Sequence, residues 1–220
     1  MVQVKVLAVS DKVEPLLDSP QVAQRFGDVD LVLGCGDLPY RYLEGLTTRL
    51  RAEVFFVRGN HALPQVYGEG GARTGPRGCY DLHRRVLNYR GVLLAGVEGS
   101  LRYSKGPYQY TQGEMWGFVW GLVPRLLLNR MLYGRFLDLF VTHAPPWGIH
   151  DKEDLPHQGV KAFRWLLRVF RPAYHIHGHV HRYTPADPAR TLVGATWVIN
   201  AYGHQSLTLE VPAFRREGPP

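Results

Sequence analysis

Aspartate, asparagine and histidine recur in this chain at places where a short apolar run ends. Asp11 follows Val9-Ser10, Gly36-Asp37 follows Leu31-Val32-Leu33, and Gly59-Asn60-His61 follows Val54–Val57. His143 follows Leu139-Phe140-Val141, and His177-Gly178-His179-Val180-His181 follows Tyr174-His175-Ile176. Carboxylate, amide and imidazole together make a mixed oxygen and nitrogen donor set. Such a set suits Mn, Fe or Zn better than Ca, which prefers oxygen alone. Each piece also has a plainer explanation. Gly-Asp after a strand is commonly a turn, Gly-Asn-His can turn on a positive φ, and His143 could mark a rigid corner before Ala144-Pro145-Pro146. The four histidines between Tyr174 and Arg182 resist that explanation. Alternate residues of a strand share a face and can converge on one ion.

The elements that must position these groups are short β runs interleaved with helical patterns. Val2 to Val9, Leu31–Leu33, Val54–Val57, Val92–Val97, Leu139–Val141 and Tyr174–Ile176 read as strands. Trp197–Ile199 and Ser206–Val211 read as a late pair joined by a turn at Gly203. Helices are expected near Leu16–Phe26, Tyr40–Arg51, Glu114–Tyr133 and Val160–Phe170. In the last, Val160, Phe163, Trp165-Leu166-Leu167 and Phe170 form an apolar face, and Arg164, Arg168 and Arg171 remain for solvent. Alternating strands and helices imply an α/β domain. In open α/β sheets, ligands bind at the carboxyl ends of strands, where all five polar groups fall.

In this order, Asp11, Gly36-Asp37, Gly59-Asn60-His61, His143 and Gly178-His179-Val180-His181 resemble the calcineurin-like metallophosphoesterases. The resemblance runs from Val4 to about Tyr183, and a softer match extends over Glu98–Tyr103 and Gln109-Tyr110. It implies a four-layer α/β/β/α sandwich of mixed sheets, a single domain over residues 1–220, and 98–135 as a cap or insert. It also implies two divalent metals at the strand ends. Asp37 would bridge them, Asn60, His143 and His179 would complete the second site, and Asp11 and His181 would hold the first. The implied activity is hydrolysis of a small phosphodiester or phosphomonoester by metal-bound hydroxide, with His61 beside the leaving oxygen. Arg102 and Asn60 are candidate substrate contacts. Tyr103, Tyr108, Tyr110, His150, Asp151 and His157 are further candidates near the mouth.

The chain departs from the family pattern twice. Asp-x-His is replaced by Asp11-Lys12-Val13, so the first site lacks an imidazole and should bind metal more weakly. The aspartate expected after Gly-Asn-His is Ala62, which removes the carboxylate that would raise and orient His61. These changes keep a second reading open: a family member that binds phosphate ligands or nucleic acid without turnover.

Composition narrows the partners. Over 220 residues, 26 Lys and Arg against 19 Asp and Glu give a net charge of +7, which favours an anionic ligand. No RNP pattern, zinc-finger spacing or dense basic run singles out nucleic acid. Met1–Ser10 lacks the features of a signal peptide, and two cysteines make no disulfide framework, so a cytoplasmic protein is expected. Cys35 to Arg41 spells the Cys-x5-Arg of thiolate phosphatases, but Asp37 and Pro39 would spoil its anion cradle. Gly68–Gly78 reads as a loop and Arg215–Pro220 as a frayed tail. No transmembrane segment is expected. Met115–Phe136, rich in Trp, Leu and Arg, is a cap, a packed helix or a lipid contact, with a kink or break expected at Pro124.

Overall fold

A computed structural model describes residues 2–68, 71–184 and 187–212. Part of the Gly68–Gly78 loop and the Arg215–Pro220 tail therefore lie outside the described residues. The strands are β1 (Val2–Ser10), β2 (Leu31–Gly34), β3 (Glu53–Phe56), β4 (Val66–Gly68), β5 (Gly71–Arg73), β6 (Cys79–Asp81), β7 (Arg85–Tyr89) and β8 (Val92–Val97). They continue with β9 (Ser100–Leu101), β10 (Gln109–Tyr110), β11 (Leu139–Thr142), β12 (Tyr174–His177), β13 (Arg190–Val193), β14 (Thr196–Asn200) and β15 (Gly203–Val211). The helices are α1 (Val22–Phe26), α2 (Tyr40–Leu50), α3 (Gln112–Tyr133) and α4 (Lys161–Phe170).

Two mixed sheets carry the fold, in the orders β15-β1-β2-β3-β6 and β13-β14-β12-β11-β8-β7. The inner strands run parallel, while β15, β7 and β13 are antiparallel to their neighbours. Strand alternation sorts the apolar side chains into three cores. Val6, Ala8, Leu31 and Leu33 meet Leu94, Val141 and Ile176 between the sheets. On the outer face of the first sheet, Leu7, Val9, Val32 and Val54 pack under α1 and α2. On the outer face of the second, Leu93, Ala95, Phe140 and Val198 pack under α3 and α4. The layers are thus helix, sheet, sheet, helix. Because both faces of each central strand are covered, these strands are continuous apolar runs.

Three local expectations change. The Leu16–Phe26 helix shrinks to Val22–Phe26: Pro20 disfavours helical backbone at Ser19 before it, and 15–20 form turns instead. The late strands are not a pair. β14 lies beside β12 and β13, and after Gly203 (φ +73°) β15 joins β1 in the other sheet. Helix α3 runs unbroken through Pro124, opened by a capping box in which Thr111 and Glu114 satisfy each other's backbone N–H.

Candidate metal centre

The parallel strands deliver their polar ends to one rim. Three of the delivered residues, Asp11, Asp37 and His179, have φ of +63°, +54° and +67°. Left-handed backbone in non-glycine residues costs energy and gathers at functional sites. All three stand just past the ends of their strands. Close backbone approach is equally required. A Cβ on Gly59 would collide with the Asp37 carboxylate, and one on Gly178 with the Ser10 hydroxyl.

Asp37, His143 and His179 place ligand atoms within 4.8 Å of one another. His143 Nδ1 lies 2.8 Å from the Cys35 carbonyl, which can only accept, so Nδ1 carries the proton there. His179 Nε2 lies 2.6 Å from the Pro156 carbonyl and donates likewise. The remaining nitrogens then face inward. His143 Nε2 is 2.9 Å from Asn60 Oδ1, 3.2 Å from Asp37 Oδ2 and 3.1 Å from His179 Nδ1. Asn60 is held oxygen-inward because its amide NH₂ donates to the Tyr103 hydroxyl at 3.0 Å. Four groups built to present lone pairs therefore crowd one buried point. In proteins that arrangement is resolved by a cation, with outer hydrogen bonds fixing each imidazole. The donor set fits a divalent ion that accepts both nitrogen and oxygen.

The electrostatics agree. Burial pushes the Asp37 carboxyl up, but the neighbouring His143 charge and the His61 N–H outweigh it and hold Asp37 at about 2. Burial pulls His143 down, yet Asp37 and Asp11 outweigh it and raise it to about 9. Burial, reinforced by the His143 charge, lowers His179 to about 3. Asp37 and Asp11 thus favour positive charge at this point.

The first half-site is sparser. Asp11 is buried, which raises its pKa, and its Oδ2 accepts the His179 N–H at 3.0 Å. His181 Nε2 is 3.8 Å from Asp11 Oδ1, and its Nδ1 meets the Tyr183 hydroxyl at 2.9 Å. The Tyr202 ring lies over His181, with centroids 4.6 Å apart. Val13 is 39% exposed and offers no donor atom.

His61 gives its backbone N–H to Asp37 Oδ1 at 2.8 Å and leaves its ring exposed at the rim. Arg102 is bound to Glu114 at 3.1 Å at the start of α3. Among the other mouth candidates, Tyr110 donates to Glu98, His157 pairs with Asp154, and Asp151 accepts from Gly148 and Gly159. His150 is tied to His177 and Thr191. Cys35 is fully buried and burial raises its thiol pKa, so the Cys-x5-Arg reading fails. The sequence singled out Tyr103 without revealing its grip on Asn60, and the Cys35 and Pro156 carbonyls carry no side-chain signal.

The sequence model for calcineurin-like phosphoesterases matches residues 5–183. The chain belongs to this family. No curated protein matches it. One solved structure superposes with a TM-score of 0.63 at 16% identity, covering 94% of this chain and 95% of its own. The protein TT1561 of Thermus thermophilus gives a TM-score of 0.61 at 16% identity, over 92% and 90% of the two chains. At such identity the likeness bears on fold alone. It agrees with the layered phosphoesterase architecture described above. Among the described residues, no helix is long and apolar enough to cross a membrane.

Proposed function

We propose that this chain is a divalent-metal-dependent phosphohydrolase acting on a small phosphate ester, with diesters preferred over monoesters. The observation that carries the reading is the convergence of Asp37, Asn60, His143 and His179 on one buried point beside an exposed His61. Asp37, Asn60, His143 and His179 would hold one ion, and Asp11, Asp37 and His181 a second, weaker one. Mn, Fe or Zn, when bound, polarises phosphoryl oxygens and acidifies water.

The chain's own groups do the rest. His61 donates from its imidazole to the departing ester oxygen, a contribution typically worth ~10²–10⁴-fold. A cleft of about 290 Å³ adjoins the first half-site, lined by His150, Asp151, Lys152, His181, Arg182 and Asp187. Its Lys152 and Arg182 would meet the phosphate or a second anionic group. Arg102 would reach substrate only by leaving Glu114, which also caps α3. Asn60 is 2% exposed, so it would act through the metal more than on the substrate directly. A cytoplasmic setting is consistent with the two free cysteines.

The test is hydrolysis of a chromogenic phosphodiester by metal-stripped protein titrated with Mn²⁺. Activity should rise with metal and fall in His61→Ala at unchanged metal content. Metal uptake without turnover on any ester would instead favour the non-catalytic reading, which Val13 and Ala62 motivate.

A further inference from the structure

The outer face of α3 is apolar where water should meet it. Trp120, Leu127, Met131 and Leu132 are 55%, 51%, 82% and 60% exposed. Positions 113, 117, 120, 124, 127 and 131 are Gly, Gly, Trp, Pro, Leu and Met, an uncharged stripe spaced by alternating fours and threes. That spacing keeps one line along a helix. The opposite face already fills the core with Met115, Val119, Leu122 and Leu126. Amphipathic packing against the sheet therefore does not explain the stripe.

Charge in the same layer is one-sided. From Met115 to Tyr133, and throughout α4, there is no Asp or Glu. Arg125, Arg164 and Arg168 make no ion pair among the described residues. The two helices are joined edge to edge, with Trp165 against Trp116 and Trp120 at 5.5 and 5.0 Å. Beside α4 lies a cleft of about 490 Å³ whose lining includes Arg164, Arg168, Arg171, Leu167 and Val193. The other helix layer has neither property. Glu44 pairs with Arg73 and Asp18 with Arg49, and α1 and α2 expose no large apolar side chain.

We infer that the α3–α4 layer docks on an anionic phospholipid surface, with the apolar stripe entering the headgroup–acyl boundary and the arginine cleft holding a headgroup phosphate. Interfacial helices combine these features. A second copy of the chain is disfavoured because two such faces would oppose arginines with no carboxylate between them. Nucleic acid would engage the arginines but leave Leu127, Met131 and Leu132 without a partner.

Co-sedimentation of the full chain with vesicles tests this. Binding should occur on vesicles of phosphatidylcholine mixed equally with phosphatidylglycerol, be absent on phosphatidylcholine alone, and weaken as salt rises. The double variant Leu127→Ser, Met131→Ser should lower vesicle affinity about tenfold or more. Arg164→Glu with Arg168→Glu should do the same. All four side chains are exposed, so thermal midpoint and Mn²⁺ uptake should stay unchanged. As a second readout, brominated lipid should quench tryptophan emission less in Trp120→Leu. No sedimentation with mixed vesicles overturns the inference, as does equal binding to both vesicle types. A solution dimer dispersed by the serine variant also overturns it, and so does duplex DNA binding that needs the arginines but ignores Met131.

Discussion

Around His143, an amide oxygen, a carboxylate and a second imidazole lie within 3.2 Å of one nitrogen. Around His181, a single carboxylate stands 3.8 Å away and a valine occupies the neighbouring motif position. The second half-site is buried, and its Asn60, His143 and His179 side chains each donate an outer hydrogen bond, to Tyr103, Cys35 and Pro156 respectively. At the first, the His181 side chain is 41% exposed and is backed by tyrosines. On the proposed reading, one half-site would take an ion as it stands, while the other would need water or substrate to complete it. Preorganisation of this kind makes affinity depend on the outer partners as well as on the ligands.

The largest effect should come from Asp37, which on the proposed reading serves both halves. Asp37→Asn should abolish tight Mn²⁺ uptake at both and lower hydrolysis by about 10³-fold or more. Asp11→Asn should spare the second half-site. Metal analysis after dialysis distinguishes them, and equal losses would erase the contrast.

Tyr103→Phe frees the Asn60 amide to rotate. Metal affinity of the second half-site should fall by about 10–100-fold. Isothermal titration with Mn²⁺ would show it, and an unchanged isotherm would mean that Asn60 is oriented by something else.

Val13→His supplies the missing imidazole. The weaker Mn²⁺ binding step should tighten roughly tenfold, with the tighter step unmoved. If both steps stay put, the position is too exposed to reach the ion.

A separate effect, on stability and not on metal binding, concerns the histidines behind the rim. Burial holds His150 at about 4 and His175 at about 3, against an ordinary 6.5. Below pH 6.5 the unfolded chain takes up protons that the folded chain refuses, so stability is full above that pH and falls below it. By pH 5 each should cost about 2 kcal/mol. His143, raised to about 9, has the opposite sign: its contribution is complete below pH 6.5 and is lost as pH climbs toward 9. Urea midpoints of metal-free protein from pH 7 to 5 should therefore decline, and less steeply in His150→Gln.

The metal-ligand candidates were legible because each closes an apolar run, and strand ends gather at one rim whatever the pairing. Less of the supporting structure was visible. Short edge strands such as β7 and β13 hold only exposed and half-buried residues, so no apolar run marks them. The partners of β14 and β15 depend on contacts distant in sequence, and local pattern suggested a hairpin that the fold does not contain. The pairing of Arg102 with Glu114 joins residues twelve apart across a turn and had no local signal.

By itself, the sequence determined the chemistry on offer: carboxylates, amide and imidazoles at strand ends, a valine where a ligand is expected, and alanine after His61. Residue type sets donor atoms, and apolar periodicity sets where strands stop. Only the tertiary structure decided which nitrogen of each imidazole faces inward, since carbonyls from Cys35 and Pro156 choose the tautomer. Only it separated a dense half-site from a sparse one. And only it left one face of α3 uncovered, because burial is a property of neighbours that no single helix contains.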